Sequence, residues 1–463
     1  MHTPEIDIDE IQKIVSAQRA YFDTGKTLPV KNRIKWLKEL KSLIQANEQK
    51  LSDEIYKDLK KSEYETFSTE LGQVYAELNT QIKNVRRWSR KRRVSTNLLN
   101  LPGSSFIQPH PYGVSLVIGA WNYPYFLSLG PLIDAISAGN TVVLKPSELA
   151  PHSSAAMAQM LNNHFDPGLV YVAEGGVEVS QALLKEKWDK IFFTGSPRVG
   201  KIVMKAAAEH LTPVTLELGG KSPAIVTGSA SVGVAARRIV WGKYTNCGQT
   251  CIAPDYVLVQ RKKKEALLAG MKKEIAKMYG NSLQSGSYGR IINEAHFDRL
   301  ISYLEEGDSY TGGRHDREER WIEPTILTSV KEGAQVMEEE IFGPILPVIP
   351  FDHLDEAIER VKSKPHPLAL YLFTNRKSEQ KKVMKDLTFG GMTLNDTLLH
   401  VANPHLPFGG VGNSGMGSYH GKFGFDAFSH HKAILKKAKW PDPFIKYPPY
   451  TDLKERLMRL ILK

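Results

Sequence analysis

Val114-Ser115-Leu116-Val117-Ile118-Gly119-Ala120 is the stretch on which the fold turns. It is a short apolar run, rich in β-branched residues, that runs straight into the turn Trp121-Asn122-Tyr123-Pro124. Runs of the same kind follow at 141–146 (TVVLKP), 169–175 (LVYVAEG), 190–196 (KIFFTGS) and 214–220 (VTLELGG). The intervening segments 153–165 and 177–185 carry apolar residues at helical spacing. Short strands separated by helices of this length predict a parallel sheet with crossover helices. Nucleotides bind along the carboxyl edge of such sheets.

Downstream, PAIVT (223–227), DYVLVQ (255–260), ILPVIPF (345–351) and ALYLFT (369–374) predict a second α/β unit. Upstream, Ile34, Leu37, Leu40, Leu43 and Ile44 repeat at helical spacing with lysines between them, and a second helical stretch covers 51–88. Leu101-Pro102-Gly103-Ser104 is a turn between 94–99 and 106–110, which reads as a hairpin. At 463 residues the chain is too long for one simple core, so two or three domains are expected.

Composition removes several function classes. The chain has two cysteines, Cys247 and Cys251, too close together to build a disulfide framework. Such sparing use of cysteine fits a reducing, cytoplasmic setting. The first ten residues are acidic and polar, unlike a secretory signal, and no run of about 18 apolar residues suggests a membrane span. Formal net charge is +11, with basic clusters at 86–93 (RRWSRKRR) and 261–264 (RKKK). Nucleic-acid binding would pair such patches with a reading module. Neither that nor zinc-ligand spacing is found, so the charge reads as a solubilising surface and no metal is expected. At the end of the chain Leu453, Leu457, Leu460 and Ile461 share a helical face flanked by Lys454, Arg456, Arg459 and Lys463. Such a segment suits weak contact with an anionic membrane, or docking on the body or a partner.

Six short segments carry side chains suited to chemistry. Cys251 closes Asn246-Cys247-Gly248-Gln249-Thr250-Cys251, and a thiolate attacks carbonyl carbon readily. Taken alone, a cysteine is more often a small packing residue. Glu217, in Leu216-Glu217-Leu218-Gly219-Gly220-Lys221, is an acid in an apolar strand end, where its pKa rises and it suits a general base; the plainer reading is an ion pair with Lys221. Asn122 beside Trp121 can donate to an oxyanion, or simply form an Asx turn. Lys145 and Glu148, past the second strand, suit ribose hydroxyls or a surface ion pair. Gly195-Ser196-Pro197-Arg198-Val199-Gly200 opens a helix from a strand end and favours phosphate. Glu340 and Phe342, in Glu339-Glu340-Ile341-Phe342-Gly343-Pro344, can hold a ribose and a flat ring, or be an ordinary loop.

Together and in this order, the six segments resemble the aldehyde dehydrogenase family, and most closely its class 3 branch of fatty and aromatic aldehyde dehydrogenases. The resemblance spans roughly residues 24–450 and is strongest in LPFGGVGNSGMGSYHGKFGFDAFSHHK (406–432). It implies a Rossmann-type α/β cofactor domain (1–92 and 111–217), an α/β catalytic domain (218–415), a small β oligomerisation arm (93–110 and 428–440) and a basic tail (441–463). It implies Cys251 as nucleophile, with Cys247 a bystander, Glu217 as base and Asn122 in the oxyanion hole. Trp121, Lys145, Glu148, Gly195, Ser196, Val199, Gly200, Leu218, Glu340 and Phe342 are then expected around NAD, or NADP. Pro197 and Arg198 depart from the family's usual turn, and Arg198 blurs the cofactor choice. The expected partners are an aldehyde substrate and a second copy in a homodimer. The rival readings are a coenzyme A-acylating relative, which generally lacks the base glutamate, and a catalytically silent scaffold.

Overall fold

The computed structural model describes residues 8–331 and 333–462; the acidic start at 1–7 and Lys463 lie outside them. The stretch 114–118 is the centre of a six-stranded sheet, where every one of its residues is buried. The sheet runs Gly415–Met416, Val214–Leu218, Lys190–Gly195, Val114–Ile118, Thr141–Lys145, Val170–Val172. All pairs are parallel except the first. Burial on both faces explains why these strands read as continuous apolar runs rather than alternating ones.

The crossover helix Phe126–Ala138 is buried along its whole length. It ends at Gly139 in the left-handed region, where a Cβ would strike the Arg33 guanidinium. The helices Pro151–Asn162 and Val177–Lys185 lie where helical spacing predicted them. So does Val30–Ala46, which buries Leu37, Leu40 and Ile44.

A second, seven-stranded sheet runs Asp308–Thr311, Thr325–Thr328, Ile345–Phe351, Tyr256–Gln260, Pro223–Val226, Ala369–Phe373, Gly391–Leu394. Its first pair is antiparallel and the rest are parallel. The chain is thus an α/β protein with two mainly parallel sheets. A three-stranded antiparallel arm joins Arg92–Val94, Gly103–Pro111 and Ser429–Lys437.

Two local readings are corrected and three strands are added. The hairpin's first strand is Arg92–Val94, not 94–99, because a 3-10 turn takes up Leu98–Asn100. The helical stretch 51–88 is interrupted at Lys60, which is left-handed, and again by a π-helical turn at Phe67–Leu71. The strands Asp308–Thr311, Thr325–Thr328 and Gly391–Leu394 extend the second sheet beyond the runs the sequence marks.

Candidate active site

The site lies where the carboxyl ends of the six-stranded sheet face the start of the second sheet. Cys251 follows the helix Val232–Tyr244 through an unusual turn. Asn246, Cys247 and Gly248 are consecutively left-handed, with φ of 51°, 53° and 73°. For the two non-glycine residues this costs on the order of 1–2 kcal/mol each, so the turn is held from outside. The Asn246 N–H donates to Glu65 Oε1 at 2.7 Å, and Asn246 Nδ2 donates to the carbonyls of Asn122 (2.8 Å) and Gln249 (3.1 Å). Gln249 Nε2 donates to Asn246 O and Arg290 O, while its Oε1 accepts the Ile292 N–H. Gly248 admits no side chain, since a Cβ would lie 2.3 Å from Gly343 O. This is the physical content of the Gly-Gln pair ahead of Thr250-Cys251.

The turn separates the two cysteines. Cys247 is 1% exposed and faces the core. Cys251 is half-buried and lines a cavity of about 290 Å³. Tyr123, Phe126, Leu127, Trp241, Phe408 and Tyr419 make that cavity mostly apolar. Burial pushes the Cys251 thiol up, and the neighbouring Glu340 and Glu217 carboxylates push it further.

Glu217 does not form the ion pair with Lys221 that its sequence neighbourhood allows. Lys221 turns to Asp255 at 2.5 Å and to the carbonyls of Val336 and Glu339. Glu217, 3% exposed and in register between Thr194 and Gly415, has no hydrogen-bond partner on either carboxylate oxygen. Burial alone drives its pKa well above the usual carboxylate range. A buried carboxyl group without partners is costly, and it is the property a general base requires. Asn122 is also buried, and its Nδ2 donates one hydrogen to Gln249 O at 3.0 Å. A primary amide has two such hydrogens, so one remains for another acceptor.

Of the remaining expected residues, most line the carboxyl ends of four adjacent strands, while Glu340 and Phe342 come from the loop before Ile345–Phe351 of the second sheet. Trp121 follows Ile118; Lys145, Gly195 and Leu218 each end a strand. Lys145 is buried and bonds the Pro146 carbonyl (2.7 Å) and Glu148 Oε2 (3.2 Å), so the ion pair and the place at the sheet edge coexist. Ser196 caps the helix Pro197–Ala208 by accepting the Val199 N–H. Pro197 at the first helical position fits without loss, as its missing N–H would be unpaired anyway. Gly200 lets that helix close on Leu218, whose side chain would lie 2.8 Å from a Cβ. Glu340 lies against Gly219, where a Cβ would fall 1.9 Å from its Oε2. Its Oε1 has no partner, and burial raises its pKa to about 8. Phe342, left-handed at φ 50°, meets the Trp121 ring edge-on at 5.3 Å.

An elongated ligand with a phosphate near the Ser196 helix start and a hydroxyl-bearing ring at Glu340 fits these groups. The unpartnered Glu340 Oε1 needs a donor, and the helix start offers free N–H groups. Sequence reasoning missed Lys61, Glu65 and Glu70, which sit beneath Asn122 and the cysteine turn. It also missed the hydrogen bond between Tyr123 Oη and Thr250 Oγ1 at 2.6 Å.

Comparison with known proteins gives a consistent picture. The model of the aldehyde dehydrogenase family matches residues 1–434. The 4,4'-diaponeurosporen-aldehyde dehydrogenase of Staphylococcus aureus is 44% identical over 435 residues, covering 93% of this chain and 95% of that one. Aldehyde dehydrogenase family 3 member A2 of Pongo abelii is 44% identical over 439 residues, covering 94% and 90%. Among solved structures, the substrate-bound state of Staphylococcus aureus AldH aligns with a TM-score of 0.95 at 43% identity, covering 98% of this chain and 99% of that one.

Proposed function

This chain belongs to the aldehyde dehydrogenase family and oxidises aldehydes with NAD(P); from that premise we propose how its residues divide the work. Cys251 is the nucleophile. Its thiolate attacks the aldehyde carbonyl and forms a thiohemiacetal. The free Asn122 amide hydrogen and the Cys251 N–H stabilise the oxyanion. Nicotinamide, when bound, supplies the acceptor for the hydride that leaves this carbon. The thioester left on Cys251 is attacked by water, whose proton goes to Glu217; the carboxylic acid departs and the thiolate is restored. The observation that carries this reading is the pairing of a half-buried cysteine in an apolar cavity with a buried, partnerless glutamate whose charge it feels. That glutamate favours hydrolysis of the thioester over its transfer to coenzyme A.

The cofactor groove holds Trp121, Lys145, Glu148, Gly195, Ser196, Val199, Gly200, Leu218, Glu340 and Phe342. We favour NAD over NADP because the Glu148 carboxylate would repel a 2′-phosphate. The substrate is a medium- or long-chain aliphatic aldehyde or an aromatic one. The apolar lining of the cavity supports this. Residues 1–92 and 111–217 form the cofactor domain, 218–415 the catalytic domain, and 93–110 with 428–440 the arm of a homodimer. The chain works in the cytoplasm, its two cysteines free.

Among the described residues no helix is long and apolar enough to cross a membrane. The tail helix Asp452–Leu462 turns Met458 and Ile461 toward Leu98–Pro102 of the arm and leaves Leu453 and Leu460 exposed. It therefore docks on the arm and leaves a basic, partly apolar face for weak contact with an anionic membrane surface. A panel of aldehydes of rising chain length, run with NAD and with NADP and followed by reduced-cofactor absorbance, tests substrate and cofactor together. Activity rising with chain length and greater with NAD is expected; a preference for short polar aldehydes or for NADP would overturn the respective assignment.

A further inference from the structure

Lys61 is a charged residue with 1% of its side chain exposed, and none of the catalytic steps uses it. Its ammonium makes an ion pair with Glu70 at 2.7 Å, donates to the backbone carbonyl of Asn122 at 3.2 Å, and stands 4.2 Å over the Tyr123 ring. Glu70 Oε2 accepts the N–H groups of Tyr125 (2.9 Å) and Phe126 (3.2 Å), fixing the far side of the same loop. The Asn122 carbonyl also accepts Asn246 Nδ2. One oxygen atom thus ties the buried cation to the Asn122 loop and to the turn that ends at Cys251.

The local structure exists to make this possible. Glu65 and Glu70 both point inward, one to the Asn246 N–H and the other to Lys61. Residues five apart diverge on an α-helix but approach one face where an i→i+5 turn intervenes. The π-helical turn Phe67–Leu71 supplies it, closed by the Gly72 N–H on Phe67 O. Burying an ion pair is expensive compared with apolar residues of similar size, so packing alone gives no reason for one here.

We propose that Lys61 is a positioning residue for the oxyanion site: by clamping the Asn122 carbonyl it fixes where the free Asn122 amide hydrogen points relative to Cys251. The inference rests on the roles of Asn122 and Cys251 in the proposed mechanism. An amide held in advance needs no reorganisation as charge develops on the substrate oxygen. Loosened, it would still fold against Gln249 but meet the oxyanion poorly.

The test uses the full chain with the charge-balanced variant K61M/E70Q, in which the introduced amide keeps an acceptor for Tyr125 and Phe126. Two rates are read by rapid mixing: acylation by aldehyde with cofactor bound, seen as the burst of reduced cofactor, and alkylation of Cys251 by iodoacetamide, which forms no oxyanion. We expect acylation to fall about tenfold or more, with alkylation and cofactor affinity within about twofold of the parent. Unchanged acylation overturns the proposal. So does an equal fall in both rates, which would mean that Lys61 only supports the cysteine turn. If the double variant does not fold, K61Q carries the same comparison, with a fall of about threefold or more in acylation alone expected and the same two outcomes against it. Failure of the underlying assignment shows separately, as a parent enzyme that keeps its turnover after Cys251 is fully alkylated.

Discussion

Two groups of buried acids flank Cys251, and they are treated in opposite ways. On one side Glu65 and Glu70 spend their oxygens on Asn246, Lys61, Tyr125 and Phe126. On the other, Glu217 has no partner for either oxygen and Glu340 has none for Oε1. Both groups are desolvated, so burial raises the pKa of all four. The first group has the opposing lysine and N–H donors that make an ionised state tolerable, whereas Glu340 keeps one backbone N–H, from Gly220, and Glu217 has none. The partnered acids are scaffold. In the proposed mechanism the unpartnered oxygens serve something the folded chain does not itself contain: a water at Glu217 and a ribose at Glu340.

The largest effect that could break this contrast concerns the sulfur between the two groups. Cys251→Ser should abolish dehydrogenase turnover while leaving the unfolding midpoint within a few degrees; near-normal turnover would remove the nucleophile from the scheme. Next comes pH. A general base acts only when deprotonated, and burial raises the pKa of Glu217. Deacylation should therefore climb about tenfold per pH unit until well above the range where exposed glutamates titrate. Single-turnover deacylation measured across pH should show that limb in the parent and lose it in Glu217→Gln. Stability should then separate the two groups. Glu70→Ala strands a buried ammonium and two N–H groups, at a cost of about 3–5 kcal/mol, whereas Glu217→Leu removes an unsatisfied group and should be neutral or stabilising by about 1 kcal/mol. Urea unfolding of the pair reads the difference directly. The smallest effect belongs to Cys247, whose 1% exposure keeps it from substrate; Cys247→Ser should change turnover less than about twofold in a steady-state assay.

The same contrast explains how far the sequence could be read. Strands such as Val114–Ile118 and Lys190–Gly195 announce themselves because both faces are buried, and the side chains at their carboxyl ends sit in short local motifs. Glu217 was legible as an acid in an apolar strand. What its neighbour Lys221 did was not, because Asp255 is distant in sequence and competes for it only after folding. Lys61, Glu65 and Glu70 left no pattern at all. Their spacing fits no single helical face, and only the π-helical turn at Phe67–Leu71 brings the two acids inward. The left-handed turn at Asn246 and Cys247 was equally hidden, since its strain is held by residues from three distant segments.

The most direct test of the central claim is to catch the covalent bond. Glu217→Gln, mixed with an aldehyde and NAD, quenched in acid and mapped by peptide mass spectrometry, should release one burst of reduced cofactor and then stall. The acyl group should be found on the peptide at Cys251 and not at Cys247. An acyl group elsewhere, or a burst with no adduct at Cys251, would contradict the account.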